Sequence, residues 1–238
     1  MRIIAFLKNS LLDLVFPLFC AGCLTKGTLL CPRCRSDLWA IPPACFVCKA
    51  LVPRNGTSVP GATCAPCRKK SLIRVFLSPF SYDSPVIRNL IHRLKYQRAK
   101  GVAPILGRLL HEYLRYQRID LPSDALLVPI PLHRAKERSR GFNQAFLIAQ
   151  ELGMNAGIAV SGHTLKKTKQ TRPQMELRRE ERIENLAGCF QVSDRTALRN
   201  RTIVLLDDVK TTGTTLQEAA RTLRVAGAKK IWAITVAH

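Results

Sequence analysis

Residues 203–206 read Ile-Val-Leu-Leu, and Asp207 and Asp208 follow at once, ahead of the loop Val-Lys-Thr-Thr-Gly-Thr-Thr. An unbroken apolar run reads as a strand covered on both faces, since a strand with one wet face alternates apolar and polar residues. Beyond the loop, TTLQEAARTLRVAGA has apolar residues at helical spacing and ends at Gly227. A buried strand feeding a helix through a short loop is one unit of a parallel α/β layer. The pattern recurs. VFLSPFSY (75–82), ALLVPIP (125–131), LAGCFQV (186–192) and KIWAITVA (230–237) read as further strands. Helices are expected over SPVIRNLIHRLKYQR, with Ser84 as cap and Pro85 at the first position, over 102–117, and over 142–153, closed by Gly153. Residues 164–185 hold no sustained apolar period.

Ligands of open α/β sheets bind at the carboxyl ends of the strands, which is where this loop lies. Its consecutive N–H groups, the hydroxyls of Thr211, Thr212, Thr214 and Thr215, the freedom of Gly213 and a helix N-terminus together form an anion cradle. The lysine-bearing pattern of an NTPase P-loop is missing. Two carboxylates beside a phosphate would repel it. They make sense if the ligand also presents hydroxyls, or brings a hard cation. A ribose 5-phosphate with a bound metal does both, its phosphate at the threonines and its hydroxyls at Asp207 and Asp208. The competing reading makes the acids caps of the following helix.

The N-terminal part has another signature. Of nine cysteines, eight form four identical C-x-x-C pairs: Cys20/Cys23, Cys31/Cys34, Cys45/Cys48 and Cys64/Cys67. Two thiolates on one tight turn reach a single ion at about 2.3 Å, and eight thiolates complete two tetrahedral Zn²⁺ sites. A redox dithiol explains any one pair, but four identical pairs poorly. Sequential pairing and cross-brace pairing both fit the spacing, as does one filled site. Cys189 stands alone among apolar neighbours and reads as a small buried hydrophobe. Residues 1–80 carry eleven Lys and Arg against Asp13 and Asp37, so this module is basic; the remainder has 27 against 14, so the excess is not special to it. The net charge of +22 predicts attraction to phosphates of any kind. Asp13 interrupts the apolar stretch MRIIAFLKNSLLDLVF, which is too short to span a bilayer; an amphipathic helix, no integral membrane segment and a cytoplasmic protein are expected. The division expected is an N-terminal helix and structural zinc-ribbon module over 1–72 and an α/β domain over 73–238.

IVLLDDVKTTGTT resembles the phosphoribosyl-pyrophosphate (PRPP) signature of type I phosphoribosyltransferases. VPIPLHRAKERSRGFNQA, RREERIENLAGCF, IHRLKYQR and the four knuckles resemble the narrower, competence-associated ComF family, over nearly the whole chain. The resemblance implies a Rossmann-like, mostly parallel sheet that binds PRPP with Mg²⁺ bridging its diphosphate and ribose hydroxyls. Asp207 and Asp208 would hold the hydroxyls, and residues 211–215 the 5-phosphate. Lys210, where relatives often carry an uncharged or aromatic residue, would meet the diphosphate side of the loop. PIPLHRAKERSRGFN looks like the diphosphate loop, with His133, Arg134, Arg140 and Asn143 as its binding residues; Lys136 and Arg138 read equally well as solvated charge. Residues 165–185 would be the flexible catalytic loop, with Arg172, Gln174, Arg182 and Asn185 singled out and the cations neutralising departing pyrophosphate. The implied reaction is substitution at C1 of the ribose by a nitrogen acceptor. The acceptor hood is expected from the zinc module and residues 80–100, including Lys95 and Tyr96. DNA uptake is the implied setting. The alternatives are a PRPP sensor without turnover and a single-stranded DNA-binding protein.

Overall fold

The computed structural model describes residues 17–52, 59–171, 181 and 185–238. The main sheet has four parallel strands in the order β1–β6–β5–β2: Ile73–Leu77 (β1), Ala125–Pro129 (β2), Thr202–Val209 (β5) and Lys230–Ala237 (β6). Register is tight at the centre, with Leu206 level with Ile234 on β6 and Pro129 on β2. Alternate residues of β5 face opposite cores. Val204 and Leu206 pack with the apolar faces of Pro85–Tyr96 (α2), Val102–Tyr116 (α3) and Gln144–Ala156 (α5). Ile203 and Leu205 pack with Leu216, Ala219, Ala220 and Leu223 of Thr214–Val225 (α6). The continuous apolar run therefore reflects a central strand with helices over both faces.

Four boundaries differ from expectation. Strand β1 stops at Leu77, because Pro79 brings no N–H and restricts Ser78 before it. Helix α5 runs past Gly153 and closes at Gly157, whose φ is +67°. A Cβ on Gly153 would lie 2.5 Å from Val160 Cγ2, so that glycine answers a close approach and not a helix end. Only Phe190–Val192 (β4) of the run 186–192 is a strand, and it pairs antiparallel with Leu165–Lys167 (β3) outside the main sheet. Gly188 turns at φ +62°, which folds Leu186 and Cys189 back into the core under α6. Lastly, Arg134–Arg140 (α4) is a short helix where a loop was expected, capped by His133 Nδ1 at one end and by Gly141 at φ +85° at the other. A helix polar all round carries no apolar period to read.

The cysteine-rich part lies against this body in two pieces. The first includes Pro32–Ser36 (α1) and docks on α2 and α3: Asn89 Nδ2 donates to Ala21 O at 2.9 Å, Arg93 donates to Phe19 O, and Arg35 pairs with Glu112. The second sends residues 61–63 alongside β1, with Phe76 N donating to Gly61 O and Thr63 N to Arg74 O. That arm covers an edge that would otherwise present unpaired backbone groups. The N-terminal helix expected over residues 1–16 lies outside the described residues.

Candidate functional site

The eight knuckle cysteines form two clusters, Cys20/Cys23/Cys31/Cys34 and Cys45/Cys48/Cys64/Cys67, each with all its sulfurs within 4.8 Å of one another. The pairing is sequential. Cys23 and Cys31 sulfurs are 3.6 Å apart, as are those of Cys48 and Cys64. A tetrahedron with about 2.3 Å metal–sulfur bonds has an edge of about 3.8 Å, so the donors fit Zn²⁺. Charge gives the same answer. Burial pushes Cys20 up, but the backbone amides of Cys31, Cys23 and Gly22 outweigh it and bring the thiol down to about 6. Burial and then the neighbouring sulfurs push Cys34 up to about 12. In the second cluster Cys45 is brought down to about 6, amides again outweighing burial, and Cys64 leads the push on Cys67 up to about 12. Sulfurs this close resist ionising together without a shared cation. Each cluster could therefore hold one zinc ion.

At the carboxyl end of β5, Asp207 and Asp208 are still in the strand, and Gly213 is the N-cap residue of helix α6, with no side-chain cap. The capping reading of the acids is thereby excluded. Asp208 is buried; its Oδ1 accepts from Lys95 Nζ at 2.8 Å, while its Oδ2 has no hydrogen-bond partner among the described residues. An unmatched buried carboxylate oxygen is costly, and a water, an ion or a ligand hydroxyl would satisfy it. Asp207 accepts from the Asp208 N–H at 2.8 Å. Desolvation, then the neighbouring Asp208, pushes the Asp207 carboxyl up to about 7. The adjoining loop offers exposed Thr211 and Thr212, with Thr212 and Thr214 hydroxyls 2.8 Å apart, and Gly213 turns it at φ +81°.

Lys95 contacts the acids, and Lys136 and Lys167 lie within their electrostatic reach. Burial lowers the Lys95 ammonium, but the Asp208 carboxylate outweighs it and the net movement is upward. Partial burial, then Arg140 and Lys95, pull Lys136 below its ordinary value, with both aspartates acting against them. Lys167, on β3, is lowered by burial and also lies within the field of Asp207. Lys136, Arg134 and Arg138 all hold exposed positions on α4, and Lys136 lies within the electrostatic field of both aspartates. His133 caps α4 and meets Lys167 across a backbone bridge. Buried Arg140 donates to Gln144 Oε1 at 2.5 Å and lies 5.8 Å from the Tyr96 ring centre. Two residues expected to meet ligand make internal contacts. Asn143 caps α5 through Oδ1 and donates from Nδ2 to Ile130 O at 3.0 Å. Lys210, expected against diphosphate, is buried with its ammonium 4.9 Å from the Phe46 ring centre and 5.2 Å from that of Phe76. Arg172, Gln174 and Arg182 lie outside the described residues, and Asn185 does have an interaction partner.

Sequence reasoning missed Lys95 and Lys167 as partners of the acids. A signal existed for the first: Lys95 stands four residues after Ile91 and beside Leu94, a lysine on the apolar stripe of an otherwise regular helix. For Lys167 there was none, since only the fold brings β3 to α4.

The phosphoribosyl transferase domain family matches residues 139–238, which include the acids, the threonine loop and the strands around them. The relatives extend across the cysteines as well. Competence protein F of Haemophilus influenzae is 29% identical over 89% of this chain and 86% of its own, and DNA utilization protein YhgH of Salmonella typhi is 32% identical over 86% and 96%. The chain belongs to the ComF family. Competence protein ComFC of Bacillus subtilis is 30% identical over 67% of this chain and 62% of its own. The fold of this ComF protein is the type I phosphoribosyltransferase α/β fold with a four-cysteine module ahead of it. Among the described residues no helix is long and apolar enough to cross a membrane.

Proposed function

We propose that this ComF protein binds PRPP at the carboxyl end of β5 and transfers its ribose 5-phosphate to a nitrogen acceptor, in the cytoplasm and in the service of DNA uptake. The unmatched Oδ2 of Asp208, beside a hydroxyl-rich loop turned by Gly213, carries this reading. Asp208 and Asp207 would accept hydrogen bonds from the ribose 2′- and 3′-hydroxyls, and residues 211–215 would hold the 5-phosphate. The oxygen donors suit Mg²⁺, which these acids would hold and which would neutralise diphosphate charge. Lys136, Arg140 and Lys167 would meet the growing charge of the leaving group, where fixed cations favour the transition state over the bound substrate. The C1–O bond to pyrophosphate breaks as the acceptor nitrogen bonds to C1, and the nitrogen's proton passes to solvent. Each cysteine cluster would carry one structural Zn²⁺.

Calorimetric titration of the zinc-loaded protein with PRPP, with and without Mg²⁺, tests the reading against an Asp207→Ala/Asp208→Ala variant. Magnesium-dependent heat that the variant loses is the expected outcome. No heat from folded wild-type protein overturns it. A second reading, binding of single-stranded DNA with PRPP sensed but not turned over, is favoured by Trp39. Its side chain is 87% exposed, on a strongly basic chain, as a base-stacking residue would be. Oligonucleotide affinity falling steeply with salt, with no pyrophosphate released, would favour it.

A further inference from the structure

The second cysteine cluster reaches into the phosphate loop. Between the ligands Cys45 and Cys48 lies Phe46, which is buried, whereas its neighbour Val47 is exposed. A C-x-x-C turn requires only that the chain be tight; nothing in metal ligation asks for a large ring pointing inward. A Cβ built on Gly213 would meet Phe46 Cζ at 2.7 Å, so the ring edge supports the loop at the residue that turns it. The same ring has Lys210 Nζ 4.9 Å from its centre and packs edge-on against Phe76 at 5.2 Å. The loop is tied on its other side by Lys210 N donating to Ala237 O at 2.9 Å. A second strut comes from Ser71, four residues past Cys67, whose Oγ accepts from Gln217 Nε2 in the first turns of α6 at 2.7 Å. In the first cluster the matching position is Ala21, which packs in the core shared with α2 and α3.

We propose that Phe46 is a positioning residue for the ribose-phosphate loop, and that the metal at the second cluster governs the loop's shape through it. This rests on the reading of residues 211–215 as the phosphate cradle. A metal that fixes Cys45 and Cys48 fixes the backbone of Phe46 between them. The ring then holds Gly213 in its left-handed turn and keeps the Lys210 ammonium beneath the loop by cation–π attraction. Without the ring a hollow opens under Gly213, and the loop loses the support that holds its turn. The two zinc sites therefore differ in role: the first anchors the ribbon to α2, while the second is wired to ligand binding.

Hydrogen exchange of loop amides and PRPP calorimetry, both on the full metal-loaded chain, test this. In Phe46→Ala with both metals retained, amides 210–214 are expected to exchange about tenfold faster and the Mg·PRPP Kd to weaken about tenfold, each tenfold corresponding to about 1.4 kcal/mol. Phe46→Leu keeps the hollow largely filled and should fall between; it also serves if the alanine variant does not fold. Val47→Ala, on the same knuckle but exposed, should match wild type in both measurements. Unchanged loop exchange in a metal-loaded Phe46 variant overturns the proposal. Faster exchange in that variant, with no PRPP heat even from wild type, would keep the mechanical link and sink the phosphoribosyl reading instead.

Discussion

Asp207 and Asp208 are neighbours in sequence with unlike surroundings. Lys95 compensates Asp208 directly, whereas Asp207 is held up to about 7 by desolvation and by Asp208 itself. The direction has two consequences. As pH rises from the ordinary carboxyl range through about 7, ionising Asp207 costs folding stability, because its unfolded-state pKa is the lower one. A cation at the site favours the carboxylate, so its binding tightens over the same interval and releases a proton near neutrality. Calorimetry of Mg·PRPP at pH 6 and pH 8, in buffers of different ionisation heat, should show tighter binding at pH 8 and proton release near pH 7. A flat pH profile would separate Asp207 from the metal.

At the scale of elements, glycines decide what the helices can do. In α5, replacing Gly153 by Ala would help helix propensity by about 1 kcal/mol. The new Cβ would nevertheless lie 2.5 Å from Val160 Cγ2 and 2.8 Å from Ile158 O, the latter a backbone atom that cannot rotate away. Overpacking costs about 1–3 kcal/mol, so clash outweighs propensity. Gly153→Ala should lower the denaturation midpoint, while Gln150→Ala on the same helix should not. The apolar spacing that announced α5 could not distinguish a glycine that ends a helix from one that admits a neighbour. Both look the same in one dimension.

Across the whole molecule, the ribbons and the sheet depend on each other. The second ribbon covers the β1 edge and packs Phe46 against Gly213, and the first clamps α2, which carries Lys95 to Asp208. Metal analysis should give two zinc ions per chain, and one in Cys31→Ser. That variant should keep the loop's hydrogen-exchange protection more nearly intact than Cys48→Ser does, although both lose thermal stability. Equal loss of loop protection would mean that the clusters act as a single unit.

The sequence by itself determined the local part of this protein. The run IVLL marked the central strand, because burial on both faces leaves no polar alternation; DDVKTTGTT marked the candidate site, because the carboxylates and the proposed anion cradle lie within nine consecutive residues. The C-x-x-C spacing marked each knuckle for the same reason. Tertiary structure alone decided which knuckles cluster, that Lys95 pairs with Asp208, and that Lys210 turns inward onto Phe46. Those contacts join residues up to well over a hundred positions apart. Their energy depends on distance in space, and a linear pattern records distance only within one turn or one strand.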